Sequence, residues 1–199
     1  MKLYYSPGAC SLSPHIVARE TGVAIELVKV DLKTKRIKKD GDFMAINANG
    51  YVPVLELDDG TVLTEGPAIV QFLADKAGRA DLLAAPGALG RYRVLEWLNF
   101  ITSELHKGFS PLFNDAVPEA YKVMAKERLA QRLGFVNDRL TGGYLTGPAF
   151  TVADAYAFTV MSWGSYVGLE PSRWPRIAAY LERVAKRPAV AAALAAEKG

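Results

Sequence analysis

β-Strand patterns occur only in the first part of this chain, and the remainder carries only the spacing of helices. Short apolar runs bounded by turn-forming residues lie at 2–6, 25–32, 52–57 and 61–64. Such runs predict strands, and the last two predict a hairpin across Asp58-Asp59-Gly60. Helices are predicted between and after them, in the order strand, helix, strand, helix, hairpin, helix. The first part is therefore predicted to be an α+β domain with a four-stranded sheet.

The sequence changes in character after Gly78. Residues 80–90 are rich in Ala, Gly and Pro, which is typical of a domain boundary. Beyond them no strand is predicted, because apolar residues recur only at helical spacing. The predicted helices cover residues 89–108, 118–140, 152–168, 174–186 and 189–196. We therefore expect an α+β domain over residues 1–78, a linker over 79–88 and an all-helical domain over 89–199.

Composition narrows the class of protein. The chain has 199 residues, of which 50% are hydrophobic and 23% charged, as in ordinary globular proteins. Its single cysteine allows no internal disulfide, so a reducing, cytoplasmic location is expected.

Pro7 and Gly8 interrupt the opening residues before they reach signal-peptide length, and no later segment is long and apolar enough to span a bilayer. We expect neither export by this route nor insertion into a membrane.

No nucleic acid, metal or nucleotide cofactor is indicated by the sequence. The net charge of +3 is dispersed, apart from a basic run at residues 33–39. That run suits a solvated loop or a small anion site better than nucleic acid, which usually needs a broader basic face. Two histidines, one cysteine and no paired ligand spacing argue against zinc. Glycines are not arranged as in phosphate loops or dinucleotide-binding loops.

Cys10 lies where the first predicted strand turns through a Gly/Pro segment into a predicted helix. Amide groups at a helix start favour the thiolate, which is the form of cysteine that attacks disulfides and electrophiles. Ser11 and Ser13 are candidate caps of this helix. A buried cysteine acting as a small apolar residue is the alternative. We prefer the functional interpretation because strand, turn and serines agree.

Two further segments offer backbone groups to a ligand. Glu65 and Gly66 lie at a predicted helix start, where helix amides would bind a ligand carboxylate and Glu65 would pair with a ligand ammonium. A helix start with an acidic residue near its dipole is an equally good explanation. Val52-Pro53 begins a strand, where a cis bond would turn backbone groups toward an extended peptide. An ordinary trans proline is the more common case.

A polar stripe is predicted on the first long helix of the second part. Asn99, Ser103 and His106 are spaced i, i+4 and i+7, so an α-helix would place them on one face. Histidine titrates near neutrality and Lys107 adds a fixed positive charge, so this pair could stabilise a thiolate or an anionic group. A solvated helix face with a surface histidine is the alternative.

Taken together, these segments resemble the cytosolic glutathione S-transferases, most closely the bacterial beta class. The resemblance spans the whole chain and is carried by residues 1–11, 49–55, 63–69 and 106–107, and by the capping-box spacing of Thr151 to Asp154. It implies a thioredoxin-like N-terminal domain, with a mixed four-stranded sheet and helices, followed by an all-α C-terminal domain.

The resemblance also implies roles for residues of the first domain. Cys10 corresponds to a cysteine that faces the sulfur of glutathione and can form a mixed disulfide with it. Val52 and Pro53 resemble the cis-proline segment, whose backbone pairs with the cysteinyl part of glutathione. Glu65 and Gly66 resemble the segment that holds the γ-glutamyl head group.

Residues of the predicted helical domain are also assigned by the resemblance. His106 and Lys107 match the beta-class pair near the sulfur. Asn99 and Ser103 match helix positions that approach the ligand, in some members from the neighbouring subunit. In the first domain, Lys35 would meet the glycyl carboxylate of glutathione.

Two positions depart from the family pattern. Gly66 stands where serine is usual, so a hydroxyl contact is lost while the backbone amide remains. Tyr51 stands where lysine or glutamine is common, which removes one expected contact to the backbone of glutathione. Both departures predict weaker binding of glutathione.

The implied function is that of a glutathione transferase, which promotes attack of the glutathione thiolate on hydrophobic electrophiles. Glutathione is then a co-substrate, no other cofactor is implied, and a homodimer is expected. Electrophiles are expected between the domains, against candidates that could equally be core: Phe109, Phe113, Trp163 and Tyr166. One alternative is a thiol-disulfide oxidoreductase, because Cys10 begins a C-x-x-S sequence without a resolving cysteine. The other is a non-catalytic protein that binds glutathione or a hydrophobic ligand.

Overall fold

A computed structural model describes residues 1–37 and 41–198 of the chain. Lys38 and Lys39 of the basic run lie outside the described residues. The chain divides into two compact units. The first comprises Met1–Ala80 together with the chain from Arg187 onward, and the second comprises Asp81–Lys186.

A mixed β-sheet forms the centre of the first unit. Its strands are β1 Lys2–Tyr5, β2 Glu26–Asp31, β3 Arg36–Ile37, β4 Gly41–Asp42, β5 Val54–Glu56 and β6 Val62–Thr64. They lie in the order β4-β3-β2-β1-β5-β6. β1 and β2 are parallel, while all other neighbours are antiparallel. The four predicted strands are confirmed, and two short strands extend the sheet beyond β2.

The helix predicted between the second strand and the hairpin is wrong. Only a 3₁₀ turn, Phe43–Ala45, is found in this stretch among the described residues. The side chain of Asp42 accepts a hydrogen bond from the amide of Met44 at 2.9 Å, which begins the turn. Lys35, with φ of 58°, and Gly50, with φ of 65°, adopt left-handed backbone conformations that do not continue a helix.

Residues on one face of the sheet form a buried core with the 3₁₀ turn. Its members are Tyr4, Val28, Val30, Phe43, Val52 and Val54. The rings of Tyr4 and Phe43 have their centroids 5.8 Å apart. Since Val52 belongs to this core, the segment that precedes β5 is fixed by apolar packing as well as by the sheet.

Three helices complete the first unit: α1 Leu12–Thr21, α2 Gly66–Lys76 and α8 Pro188–Glu197. α1 ends at Gly22, whose φ of 72° closes the helix in the left-handed conformation that glycine readily adopts. α8 was predicted as part of the helical domain, but the structure groups it with the first unit. A change of composition shows where the chain leaves a domain. When one later helix packs back onto that domain, as the alanine-rich α8 does, the composition gives no comparable indication.

Polar contacts of Glu197 fix α8 within the first unit. Its carboxylate accepts a hydrogen bond from the amide of Gly8 at 3.0 Å and lies 3.0 Å from Nδ1 of the buried His15. Arg19 donates from Nε to Nε2 of His15 at 2.9 Å. His15 therefore has a structural role.

The second unit is helical. Its helices are α3 Leu89–Phe100, a π-helical turn Ile101–His106, α4 Lys107–Phe109, α5 Glu119–Arg139, α6 Val152–Met161 and α7 Pro175–Ala185. The predicted helices are confirmed, except that the segment after Met161 continues as a 3₁₀ helix, Ser162–Val167. Across residues 1–37 and 41–198, no helix combines the length and the apolar character needed to cross a membrane.

The predicted capping box at the start of α6 is present. The carboxylate of Asp154 accepts hydrogen bonds from the amide and the hydroxyl of Thr151, each at 2.8 Å. It also accepts from the amide of Leu145 at 2.9 Å and from the hydroxyl of Tyr180 at 3.1 Å. Every residue of α6 is buried. This carboxylate therefore joins the loop before α6 to both α6 and α7.

Candidate functional site

Cys10 lies in the loop between β1 and α1, two residues before the helix begins. Its Sγ donates a hydrogen bond to the carbonyl oxygen of Val52 at 3.1 Å. Only the protonated thiol can donate this bond, so the contact opposes the thiolate that the sequence analysis expects. The side chain is partly exposed, which leaves it accessible.

Ser11 does not cap α1 through its side chain, contrary to the sequence prediction. Its hydroxyl instead accepts from the amide of Ser6 at 3.1 Å and donates to the carbonyl of Ser6 at 3.2 Å. These two bonds close the loop that carries Cys10. Ser13, the other predicted cap, is buried, and its hydroxyl has no hydrogen-bond partner within the described part of the chain.

The peptide bond between Val52 and Pro53 is cis. The trans alternative considered for this sequence is therefore wrong. Two side chains hold the preceding loop by its carbonyl groups. Asn47 donates to the carbonyl of Tyr51 at 2.8 Å, and Lys35 donates to the carbonyl of Gly50 at 2.9 Å.

Lys35 and Tyr51 are adjacent. The Nζ atom of Lys35 lies 5.9 Å from the centroid of the Tyr51 ring. The ring is 70% exposed, so it stands at the surface next to the cis-proline segment. These two predicted site residues are therefore brought together, although the lysine already has a backbone acceptor.

Glu65 has an unusual backbone conformation, with φ of 66° and ψ of 113°. A residue with a Cβ atom rarely adopts this conformation, and such outliers cost on the order of 1–3 kcal/mol and cluster at functional sites. The conformation begins α2, because the carbonyl of Glu65 accepts from the amides of Ala68 and Ile69, each at 3.0 Å. The side chain of Glu65 is exposed.

Gly66 is the point where three segments of the first unit meet. A Cβ atom built on Gly66 would lie 3.7 Å from Cγ of Pro53 and 3.9 Å from Oγ of Ser13. The start of α2 therefore adjoins both the cis-proline and the helix that follows Cys10. These distances are ordinary van der Waals contacts, so the site has room for a small side chain.

His106 closes the π-helical turn of the second unit. Its Nδ1 lies 2.6 Å from the hydroxyl of Tyr156, and its ring makes an edge contact with Trp163 at a centroid distance of 5.0 Å. Burial, aided by the charge of Lys107, lowers the pKa of His106 from 6.5 to about 4. The imidazole is therefore neutral near pH 7. The sequence predicts a histidine that titrates near neutrality, whereas burial in the fold lowers the pKa of His106 well below that range.

The low pKa of His106 predicts a pH dependence of stability. Since the folded value of about 4 lies below the ordinary 6.5, the folded protein takes up fewer protons than the unfolded chain between these values. Stability from this group is complete above pH 6.5 and falls as the pH drops toward 4. From pH 7 to pH 5 the loss is expected to be about 2 kcal/mol. Urea unfolding at both pH values, for the wild type and His106→Gln, measures it.

His106→Gln controls for the other titrating groups, because they are unchanged in the variant. We expect the difference in unfolding free energy between pH 7 and pH 5 to be smaller in His106→Gln than in the wild type. Equal pH dependence in the two proteins would show that His106 is not held neutral by the fold.

The other polar residues predicted on this helix do not share one α-helical face with His106. Asn99 and Ser103 are exposed, and their side chains donate to the carbonyls of Leu95 and Asn99 in their own helix, at 2.8 and 3.0 Å. The π-helical turn places hydrogen bonds at i to i+5, so the i, i+4, i+7 spacing no longer defines one face. Lys107 is exposed.

Three of the four aromatic candidates form one cluster. Ring centroids of Phe109, Phe113 and Trp163 are separated by 5.8 to 6.4 Å. Phe109 and Trp163 are buried, whereas Phe113 is 52% exposed. Tyr166, at 79% exposed, lies outside this cluster. The cluster thus combines core packing with one accessible ring.

Tyr156, which contacts His106, is a residue of the candidate site that the sequence does not reveal. It lies within the fully buried helix α6, and a tyrosine in an apolar run is ordinarily assigned to the core. The only available signal is that a buried tyrosine hydroxyl needs a polar partner.

For metals, no group of three His, Cys, Asp or Glu side chains suited to holding an ion occurs within residues 1–37 and 41–198.

Comparisons with known proteins agree with this architecture. Residues 8–76 match the glutathione S-transferase N-terminal domain family, and residues 100–188 match the C-terminal domain family. Glutathione S-transferase GstA of Escherichia coli O157:H7 is 49% identical over 99% of this chain and 98% of its own length.

Two solved structures have the same fold. A sphingomonad glutathione S-transferase in complex with glutathione is 45% identical, with a TM-score of 0.95 over 100% of this chain and 99% of the other. A beta-class glutathione S-transferase of Sphingomonas chungbukensis is 44% identical, with a TM-score of 0.95 over 99% of this chain and 98% of the other. With both domains matched and these identities maintained over its full length, the chain belongs to the glutathione S-transferase family, in its beta class.

Proposed function

We propose that this chain is a glutathione transferase that holds glutathione on its first unit and promotes attack of the glutathione sulfur on hydrophobic electrophiles. The observation that carries the proposal is the position of Cys10, whose sulfur lies 3.1 Å from the carbonyl of Val52, beside the cis-proline. The structure of the related sphingomonad glutathione S-transferase contains bound glutathione, which supports the same ligand here.

The first unit offers groups that suit each part of the tripeptide. We assign the backbone of Val52, next to Pro53, to the cysteinyl portion of glutathione. The amide of Gly66 begins α2 and suits the carboxylate of the γ-glutamyl group, because helix N-termini attract anions. Glu65 is assigned to its ammonium group, since the exposed carboxylate supplies the opposite charge.

The glycyl end of glutathione is assigned to Lys35 and Tyr51. Lys35 supplies a positive charge beside the loop that precedes Val52, and Tyr51 supplies an exposed ring. Because Lys35 already donates to the carbonyl of Gly50, a ligand carboxylate would share the ammonium group with this carbonyl. Ammonium groups have three donors, so both contacts are chemically possible.

In the reaction, the thiol proton of glutathione passes to solvent and the thiolate sulfur forms a bond to the electrophilic carbon. The leaving group departs with the electron pair of its bond, or an epoxide oxygen takes that pair. We assign stabilisation of the thiolate to Lys107 as a cation and to His106 as a neutral hydrogen-bonding group. Asn99, at the end of α3, and Ser103, in the π-helical turn, have exposed side chains and are assigned to further polar contacts with the ligand.

The aromatic cluster of Phe109, Phe113 and Trp163 is our candidate surface for the electrophile. An apolar surface next to a few polar groups is typical of small-molecule sites. Phe113 is its accessible member, being 52% exposed, while Tyr166 would contact only the outer part of a bound electrophile.

Substitution of Cys10 tests the proposed chemistry. We expect the wild type to conjugate glutathione with activated aryl halides, and Cys10→Ala to lose mixed-disulfide formation with oxidised glutathione while keeping conjugation. Intact mass and a conjugation assay measure the two outcomes. If Cys10→Ala loses only a disulfide-reducing activity and neither protein conjugates, the oxidoreductase alternative is correct. If glutathione binds to both proteins without turnover, the non-catalytic alternative is correct.

Gly66→Ser is expected to tighten the binding of glutathione. The new Cβ fits, since its nearest neighbours would be Pro53 at 3.7 Å and Ser13 at 3.9 Å. The added hydroxyl supplies one hydrogen bond, which corresponds to a decrease in the KM for glutathione of about 2- to 10-fold. Steady-state kinetics at saturating electrophile measure this change. Gly66→Ala is the matched control, because it adds the Cβ without the hydroxyl and should leave KM unchanged. A lower KM in both variants would contradict the hydrogen-bond explanation.

We further propose that the chain is a cytoplasmic homodimer without other cofactors. Support for the location comes from its single cysteine, and support for the dimer from its family. Light scattering after size-exclusion chromatography should give a mass twice that of the chain. A mass equal to one chain at micromolar concentration would contradict the dimer.

A further inference from the structure

We infer that Tyr156 is a positioning residue that fixes His106 as the tautomer with its proton on Nε2, which makes His106 a hydrogen-bond donor rather than a base. The inference deepens the function proposed above and rests on it for its catalytic consequence. Its structural part concerns two side chains of the second unit and can be tested without glutathione.

The distance between the two side chains indicates which one donates. Nδ1 of His106 and the hydroxyl oxygen of Tyr156 are 2.6 Å apart. Hydrogen bonds donated by N–H groups to oxygen are usually 2.7–3.2 Å long, whereas hydroxyl donors make shorter bonds. The separation therefore favours a bond in which the tyrosine hydroxyl donates to Nδ1.

A neutral imidazole has one protonated and one unprotonated nitrogen. Because burial keeps His106 neutral near pH 7, acceptance at Nδ1 leaves the proton on Nε2. Trp163 contacts the same ring edge to face at 5.0 Å, which restricts its rotation. Tyr156 is itself buried, so its hydroxyl is held in place by α6.

The tautomer decides what His106 can do to a sulfur atom. A protonated Nε2 can donate a hydrogen bond to a thiolate, but it cannot remove a proton from a thiol. The proton of the glutathione thiol then goes to solvent, and His106 stabilises the charge that remains on sulfur. This role differs from that of a general base, which would need an unprotonated Nε2.

The other histidine of the chain provides an internal standard. Arg19 donates to Nε2 of His15 at 2.9 Å, so this nitrogen is the acceptor. Nδ1 of His15 lies 3.0 Å from the carboxylate of Glu197, to which it donates. When neutral, His15 is therefore the Nδ1-protonated tautomer, opposite to His106. Since the chain contains two histidines, both tautomers can be read from one spectrum.

Long-range ¹H–¹⁵N correlation spectra of the ligand-free protein, labelled with ¹⁵N-histidine, test the inference at pH 7. We expect protonated Nε2 and unprotonated Nδ1 for His106, and the reverse for His15. In Tyr156→Phe, His106 should become a mixture of tautomers while His15 is unchanged. His106→Gln assigns the signals. A protonated Nδ1 on His106 in the wild type would overturn the inference, whether or not glutathione binds.

Kinetics of Tyr156→Phe test the catalytic consequence. Loss of one orienting hydrogen bond is expected to lower kcat about 2- to 10-fold with an unchanged KM for glutathione. Tyr180→Phe is the matched control, because it removes another buried hydroxyl of the second unit that bonds to Asp154 instead. It should leave kcat and the His106 tautomer unchanged. An equal loss of kcat in both variants would assign Tyr156 a merely structural role.

Discussion

Asp154→Ala is expected to lower the free energy of unfolding by about 3–5 kcal/mol. The carboxylate is fully buried, and it accepts hydrogen bonds from Thr151, Leu145 and Tyr180. Alanine would leave these buried donors without their acceptor, and each unsatisfied group costs about 1–3 kcal/mol. Urea unfolding followed by circular dichroism measures the loss.

A control variant separates the carboxylate from its individual partners. Tyr180→Phe removes one donor but leaves the other bonds of Asp154 intact, so it should cost about 1 kcal/mol. If Asp154→Ala costs no more than Tyr180→Phe, the carboxylate does not organise the start of α6 as described.

Glu65→Gly is expected to weaken glutathione binding and to stabilise the fold at the same time. Loss of a charged partner for the ligand ammonium should raise KM for glutathione roughly 10- to 100-fold. Glycine tolerates the φ of 66° that Glu65 adopts, so the free energy of unfolding should rise by about 1 kcal/mol. Kinetics and thermal unfolding of one protein sample measure the two effects.

Glu65→Gln distinguishes the charge from the backbone conformation. Glutamine keeps a Cβ atom and the side-chain size but removes the negative charge, so KM should rise while stability stays as in the wild type. A rise in stability in Glu65→Gln equal to that in Glu65→Gly would contradict the assignment of strain to the backbone. An unchanged KM in both variants would remove Glu65 from the glutathione site.

Most helices and strands could be predicted from short sequence patterns, because interactions between residues close together in the sequence determine them. The strands at residues 2–6 and 52–57 depend on alternation and apolar runs. The end of the first helix depends on Gly22, a residue that allows positive φ. The capping box at Thr151 and Asp154 likewise has all its sequence signals within four residues. Each of these elements is found close to its predicted bounds.

Features that depend on distant residues could not be predicted in this way. α8 joins the first unit through Glu197, whose partners Gly8 and His15 are far away in sequence. The pairing of His106 with Tyr156 likewise links two helices, and the π-helical turn that ends at His106 has no periodic signal. The low pKa of His106 follows from burial, which a sequence does not reveal.

Within the candidate site, the sequence was a better guide to the backbone setting of the predicted residues than to their protonation. Cys10, Val52 and Glu65 occur at structurally distinctive positions, beside a cis-proline or at an unusual φ. Cys10, which was predicted to be a thiolate, instead donates a hydrogen bond to a carbonyl as a protonated thiol. Residue types can be read directly from the sequence, whereas the protonation of a side chain depends on the groups that the fold brings near it.

A crystal structure of the protein grown with reduced glutathione tests the central claim most directly. We expect the glutathione sulfur to lie beside Sγ of Cys10, the cysteinyl backbone to pair with Val52, and the γ-glutamyl group to contact Glu65 and Gly66. Glutathione that is absent at saturating concentration, or bound away from Cys10, would contradict the account.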